Sequence, residues 1–337
     1  MREAMFIKKN VDKWNQYQRS ETNDPDETAE RFVTLVDDLS YAKTFYPHSK
    51  VTKWINGIAA NIYQNIYKNK KEKYSRVFTF WRYELPLIFR KYHKVLLFAF
   101  LLNLFFTLVG VWGSMHNEDF MRGALSPDYV DKTLDNIANG DPFGIFKSDN
   151  PFSMFVMIAM NNIFVALLMA MGGLTLGIWT LISDWQNSIM LGAFQYLFFA
   201  HNLGVKSVLV IWIHGTLEIL SFIIASTVGY IISQSILFPG TYDRLESFKR
   251  GVKEGLKIMI ALVPIFIVAA FFESYVTHLM SNTYSKTKSA GMPVWCSVVI
   301  LLSSLSFILW YFIFLPIRLH KNGYKLQSDG ILKQPSN

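Results

Sequence analysis

Cysteine is almost missing from this chain: Cys296 is the only one, and it lies inside an apolar run. A single cysteine excludes an intramolecular disulfide framework and a multi-cysteine zinc site. Its ordinary role is that of a small buried hydrophobe. Charge is missing in long stretches. Residues 95–115, 151–183 and 290–317 contain no Asp, Glu, Lys or Arg. Each exceeds the roughly 18 mostly apolar residues that suffice to cross a bilayer. A long apolar stretch is missing at the start, Met1-Arg2-Glu3-Ala4-Met5. No cleavable signal peptide is therefore expected, and the first spanning helix is expected to act as the targeting signal. The zinc-protease pattern HExxH is also absent, and no convincing inverted repeat relates the first three apolar segments to the last three.

What is present confirms the membrane class. Of 337 residues, 51% are hydrophobic and mean hydropathy is +0.23. Soluble domains average about 45–50% apolar, so distribution rather than total decides the matter. The net charge is +8. Its cations flank the apolar runs, which favours a membrane surface over nucleic acid, and no nucleic-acid partner is expected.

Residues 1–93 read as a cytoplasmic helical region. Phe32, Leu35, Val36 and Leu39 recur at helical spacing, as do Trp54, Ile55, Ile58, Ile62 and Ile66. Asn23-Asp24-Pro25-Asp26 is a turn suited to capping the first of these helices. The stretch 68–94 then carries Lys68, Lys70, Lys71, Lys73, Arg76, Arg82, Arg90, Lys91 and Lys94 against Glu72 and Glu84. Lys and Arg collect on the cytoplasmic side of spanning helices. The fold expected is all-α, a polytopic transmembrane bundle over 94–317 with both termini inside and a cytoplasmic tail over 318–337. Its six spans are placed at about 95–114, 152–181, 186–201, 207–233, 257–279 and 293–316. Asp184 and Trp185 mark the expected inner turn between the second and third. The third is short, and a re-entrant arm is its alternative. The acidic segment 115–151 is expected outside, and the basic loop 244–253 inside. In that loop Leu245, Phe248, Val252 and Leu256 fall on one helical face, which suggests either an amphipathic helix in the inner interface or a connecting helix packed on the protein.

The chain resembles the stage II sporulation protein M family over nearly its whole length. The residues that carry the resemblance begin with Arg2-Glu3-Ala4-Met5-Phe6-Ile7, Trp14 and Asp38-Leu39-Ser40-Tyr41-Ala42. They continue through Asn161-Asn162, Gly173, Gly177, Asn187 and Gly192 to His214-Gly215-Thr216-Leu217-Glu218 and Phe272-Glu273. Ser188 follows Asn187 where the family pattern leads one to expect glycine. The resemblance implies an integral protein of the bacterial inner membrane. In spore formers the namesake is implied to work in a membrane complex with peptidoglycan-degrading partners, and relatives occur in organisms that never sporulate.

Ionisable groups at membrane depth cost roughly 2.5–3.5 kcal/mol each on insertion scales, so they are functional candidates. His214 and Glu218 are four apart on one helical face. Glu273, on the next span, falls at a similar depth by the 1.5 Å rise per residue. With Asn161 and Asn162 they form an expected intramembrane polar site. One imidazole and two carboxylates can hold a divalent cation, relay protons, or bond to one another as an interhelical lock. Gly173, Gly177 and Gly215 are expected helix-packing positions, open to another helix or a second protomer, so a homodimer is one assembly allowed. Asn103 and Gln195 are expected interhelical hydrogen bonders, while His201 and His278 are expected to be solvated. The leading functional expectation is a scaffold or partner in a cell-envelope membrane complex, contacting lipid and other envelope membrane proteins, and not an enzyme. Alternatives are a transporter or channel component using the His/Glu/Glu site, and an intramembrane metal-dependent hydrolase.

Overall fold

A computed structural model describes the chain apart from residues 1, 20, 21, 23, 68–74, 147–149, 287–289, 327–331 and 334–337. Lys68, Lys70, Lys71, Lys73 and Glu72 of the basic stretch, and Asn23 of the capping turn, lie outside the described residues. The chain divides into two units, Met1–Arg76 and Val77–Asn337.

The first unit is built of α1 (Glu3–Arg19), α2 (Pro25–Phe45) and α3 (Lys50–Tyr67). Asp24 caps α2, its carboxylate accepting from the Asp26 amide at 3.0 Å with Pro25 in the first turn. The core is aromatic and aliphatic: Phe6, Trp14, Leu35, Ala42, Val51, Ile55 and Ile58 are buried together. Val36, expected on the same stripe as Leu35, is exposed. The Trp14 indole donates to Asp38 at 2.8 Å, and Lys13 pairs with the same carboxylate at 2.6 Å.

The second unit opens with a segment that the sequence reading assigned to the soluble region. It comprises α4 (Ser75–Thr79), a π turn (Phe80–Glu84) and α5 (Leu85–Lys91). Leu85, Leu87, Ile88 and Phe89 are buried with the bundle. Glu84 pairs with Lys257, and Lys91 with Glu254 at 2.7 Å. The basic segment thus packs its apolar face on the bundle, while Arg90 and Lys91 continue the cationic end.

The bundle helices follow: α6 (His93–His116), the short α7 (Glu118–Leu125) and α8 (Pro127–Ala138), then α9 (Pro151–Met171) and α10 (Ile178–Ala200). After these come α11 (Gly204–Leu237), α12 (Arg244–Phe271) and, past a π turn (Phe272–Thr277), α13 (His278–Thr283). Last are α14 (Val294–Ile308), a third π turn (Leu309–Phe314) and α15 (Leu315–Lys321), with a two-strand ribbon of β1 (Lys325–Leu326) and β2 (Leu332–Lys333). Among the described residues five helical stretches are long and apolar enough to cross a membrane: His93–His116, Pro151–Thr175, Gly204–Leu237, Arg244–Thr283 and Val294–Lys321. The protein is a multi-pass membrane protein. The 23-residue α10 is long enough as well, though less apolar. Cross-helix contacts set its direction. Asn103 of α6 donates to Ser188, and Thr107 further along α6 meets Gly192. The two helices therefore run parallel. Met169 meets Thr180 and Gln195 meets Ser207, so α9 and α11 run against α10. The helices α6, α9, α10 and α11 thus alternate in direction.

Two boundaries differ from the sequence reading. The second helix ends at Met171 rather than near 181, and the turn occupies Gly172–Gly177 rather than Asp184-Trp185. Leu176 (φ 56°) and Gly177 (φ 86°) are both left-handed, which an L-residue helix cannot continue. The turn was hidden because residues 151–183 carry no charge to betray a surface. The basic loop also holds no separate interfacial helix. Residues from Arg244 onward are the first turns of α12 itself, where Phe248 and Val252 pack on the core while Leu245 and Leu256 are exposed.

Candidate functional site

The site lies near the bundle end that carries α7 and α8. Along α11, His214 and Glu218 share one face. Opposite them, α12 gives way to the π turn Phe272–Thr277, which carries Glu273 and Thr277. Such a turn inserts one extra residue per helical repeat and re-aims the side chains beyond it, a common device at functional sites. Asn162 on α9 completes the set.

The Thr277 hydroxyl donates to the Phe272 carbonyl at 3.1 Å and meets His214 Nδ1 at 2.9 Å. An oxygen whose hydrogen is already spent accepts, so Nδ1 carries the imidazole proton. Nε2 is then the basic nitrogen, and it faces Glu273 Oε2 at 4.0 Å. On the other side, Asn162 Nδ2 donates to Glu218 Oε1 at 2.7 Å. One ligand atom from each of His214, Glu218 and Glu273 lies within 4.8 Å of the others, and His214 is buried. This is the pattern of ligand and supporting residue found at metal sites: the imidazole oriented by a hydrogen bond through its other nitrogen, the carboxylate oriented by an amide. Two donors sharing an ion at about 2.0–2.6 Å are separated by at most roughly 4–5 Å, so the trio spans a cation with little movement. Over the site, Tyr129 of α8 feels the Glu273 charge. Its phenol is pushed up, chiefly by burial and further by that carboxylate.

The structure brings together four of the five polar residues read from the sequence. Asn161 is the correction: it is exposed, because adjacent helical positions point about 100° apart and Asn162 takes the inward one. Two of the packing glycines meet α11 from a turn rather than from a helix face. Gly173 and Gly177 lie in the turn after α9, not on a helix face. A Cβ at Gly173 would fall 2.3 Å from the Gly229 carbonyl oxygen of α11, and Gly177 is left-handed. Gly215 meets nothing closer than Ile219 of its own helix, at 3.8 Å. The close crossings lie instead at Gly110, Gly192 and Gly229. Gln195 joins α10 to α11, donating to Ser207 at 2.7 Å and accepting from Trp212 at 3.0 Å. His278 is not open to solvent at Nδ1, which is buried without a hydrogen-bond partner among the described residues.

Sequence reasoning missed Thr277, for which no local signal existed, and Asp184, which it took for a turn. Asp184 is the only charged residue of α10, and that was the signal.

Comparison with known proteins agrees with this architecture. A family model described as Stage II sporulation protein M matches residues 96–278, more than half of the chain and every residue of the site. A second, described as a domain of unknown function (DUF8413), matches residues 4–68, the three-helix unit. No curated protein and no solved structure matches the chain. A match of that extent, over the helices that build the polar site, places the chain in the stage II sporulation protein M family.

Proposed function

We propose that this protein is a membrane scaffold or partner in a cell-envelope complex, and that His214, Glu218 and Glu273 hold a divalent cation that ties its core. The observation that carries the reading is the direction of the polar side chains. Asn162 on α9, His214 and Glu218 on α11, and Glu273 with Thr277 on the π turn face one another and bind three helices together. A cation there would be bound by an imidazole nitrogen and carboxylate oxygens, a donor set suited to zinc, manganese or iron. Two carboxylates opposite one divalent ion leave the set neutral, which removes the cost of bare charge at membrane depth.

Charge segregation supports the orientation. Lys91, Lys94, Lys249, Lys253, Lys257, Arg318 and Lys321 collect toward one end of the bundle. Glu118, Asp119, Asp128, Asp131, Asp135 and Asp141 collect toward the other. By the positive-inside rule the cationic end is cytoplasmic and the His/Glu/Glu site lies in the outer half of a bacterial inner membrane. The three-helix unit then stands on the cytoplasmic side, available to protein partners.

Elemental analysis of the protein purified in mild detergent tests the cation, with a His214→Ala/Glu218→Ala/Glu273→Ala variant beside it. Near-stoichiometric divalent metal in the wild type and none in the variant is expected, with a lower melting temperature in the variant. Absence of metal from both removes the clamp. Recovery of no envelope protein in a cross-linked pull-down with the full chain counts against the scaffold role.

A further inference from the structure

A second ionisable group sits deep in the bundle, away from the His/Glu/Glu set. Asp184 is 0% exposed. It lies six residues into α10, about 9 Å from the cationic end at 1.5 Å per residue. Every group around it is neutral. Asn103 Nδ2 of α6 stands 3.5 Å from Oδ1, and the Tyr230 hydroxyl of α11 stands 3.4 Å from Oδ2. Ser188, one turn along α10, and Ser226, one turn before Tyr230 on α11, lie beside it; the Ser188 hydroxyl accepts from Asn103 at 2.6 Å and that of Ser226 donates to the Phe222 carbonyl at 3.2 Å. No Lys, Arg or His among the described residues lies within ion-pair distance. The nearest cations on a packed helix are His93 and Lys94, at the end of α6 and more than two turns before Asn103. The α9 helix brings no charge; on α11, Lys206 stands at the far end, and His214 and Glu218 belong to the other site, two turns or more before Ser226.

A carboxylate so placed is expensive unless something neutralises it. Two neutral donors, Asn103 and Tyr230, orient it without cancelling its charge. The two contacts at 3.4 and 3.5 Å are also longer than the usual 2.7–3.2 Å, so they hold the carboxylate only weakly. Three helices thus gather hard oxygens around the Asp184 carboxylate: the Ser188, Ser226 and Tyr230 hydroxyls, and the Asn103 amide, which presents oxygen when rotated. The net charge of the set is −1.

We propose that Asp184, Ser188, Asn103, Ser226 and Tyr230 form a binding site for a small monovalent cation, sodium, with the proton as its competitor for the same carboxylate. Oxygen-only donors select a hard ion over zinc or copper. A single carboxylate balances a single positive charge, whereas a divalent ion would leave a net positive charge in the bilayer. The bound ion joins α6, α10 and α11 where they cross.

The test uses full-length protein in detergent with the His214–Glu218–Glu273 set intact in every sample. Radioactive sodium binding and melting temperature are measured against choline at constant ionic strength. At mildly alkaline pH the wild type binds about one sodium per chain at this site and melts higher in sodium than in choline. At mildly acidic pH both effects shrink as protons compete. Asp184→Asn, which keeps the side-chain shape, loses both. Should that variant fail to fold, Ser226→Ala supplies the reading, with sodium affinity roughly tenfold or more weaker as one oxygen is withdrawn. Equal behaviour in sodium and choline at alkaline pH, a sodium effect that survives Asp184→Asn, or unchanged affinity in Ser226→Ala overturns the proposal. Proton binding alone would appear as the first of these.

Discussion

The two units of this chain are packed on opposite plans. In Met1–Arg76 the large side chains are inside: Phe6, Trp14, Leu35 and Ile55 are buried, and polar groups such as Asp38 close the edges. In α6 and the first turns of α10 the large side chains are outside, although Leu197 and Phe198 further along α10 are buried. Phe100, Leu101, Leu104, Phe105 and Leu108 are exposed on α6 while Asn103 and Gly110 are buried. On α10, Ser183, Asp184, Ser188 and Gly192 are buried while Trp179 and Trp185 are exposed. The difference follows from the solvent. Water drives the large apolar groups of the first unit inward. Lipid is as apolar as leucine, so helices in it associate through close backbone approach and polar bonds.

The sharpest way to break this comparison is to put a side chain where a membrane helix needs none. A Cβ at Gly192 would fall 2.1 Å from the Thr107 carbonyl oxygen and 2.8 Å from the Val111 amide nitrogen, both backbone atoms of α6. Neither can turn aside, so Gly192→Leu forces α6 and α10 apart and with them the Asn103–Ser188 bond. Loss of monodisperse folded protein in size-exclusion chromatography is expected. Gly215→Ala is the control, since nothing but Ile219 approaches that position. It should leave the elution profile unchanged and raise stability by up to about 1 kcal/mol through helix propensity. Equal damage from both variants would show that close approach is not what holds these helices.

The first unit should answer to volume instead. Trp14 is 0% exposed, packs at a tilt against Phe6 and edge-on against Trp54 with centroids 5.3 and 5.7 Å away, and donates to Asp38. Trp14→Ala is expected to cost about 3–5 kcal/mol, enough to unfold a three-helix unit of this size on its own account. Limited proteolysis of the full chain reads it, as cleavage within the first 76 residues while the bundle stays intact.

How far each plan is legible in the sequence depends on what its periodicity reports. In the first unit, Leu35, Ile55 and Ile58 stand out because burial and hydrophobicity coincide. In the bundle, hydropathy finds the spans and says nothing of their inward faces, since lipid-facing and core-facing residues are equally apolar. His214, Glu218, Asn162 and Glu273 were legible because polarity at membrane depth is its own signal. Asp184 carried the same signal but was read as a loop, because a charge between two apolar runs looks alike whether it ends a helix or sits inside one. The π turn at Phe272–Thr277 has no sequence mark, and neither does the role of Thr277, which depends on that turn. The Gly172–Gly177 break was visible as three glycines, yet glycine spacing of that kind reads equally well as a packing face.

The smallest expected effect is also the most direct reading of the solvent. Phe105 is 58% exposed on α6, and its ring faces the bilayer rather than the Asp184 or His214 clusters. In a water-soluble helix, trimming an aromatic ring from a buried core costs about 3–5 kcal/mol. On a lipid-facing position the ring has lipid tails around it in the folded bundle and in the separated helices alike, so little transfer energy is at stake. Phe105→Ala should therefore change the melting temperature in detergent by no more than an ordinary surface substitution, within about 0.5 kcal/mol. A loss as large as that of Trp14→Ala would mean that Phe105 is covered by protein in the working state. The exposed face of α6 would then be an interface, with a second copy of the chain or an envelope partner seated on it, and the contrast between the two units would hold only for the isolated chain.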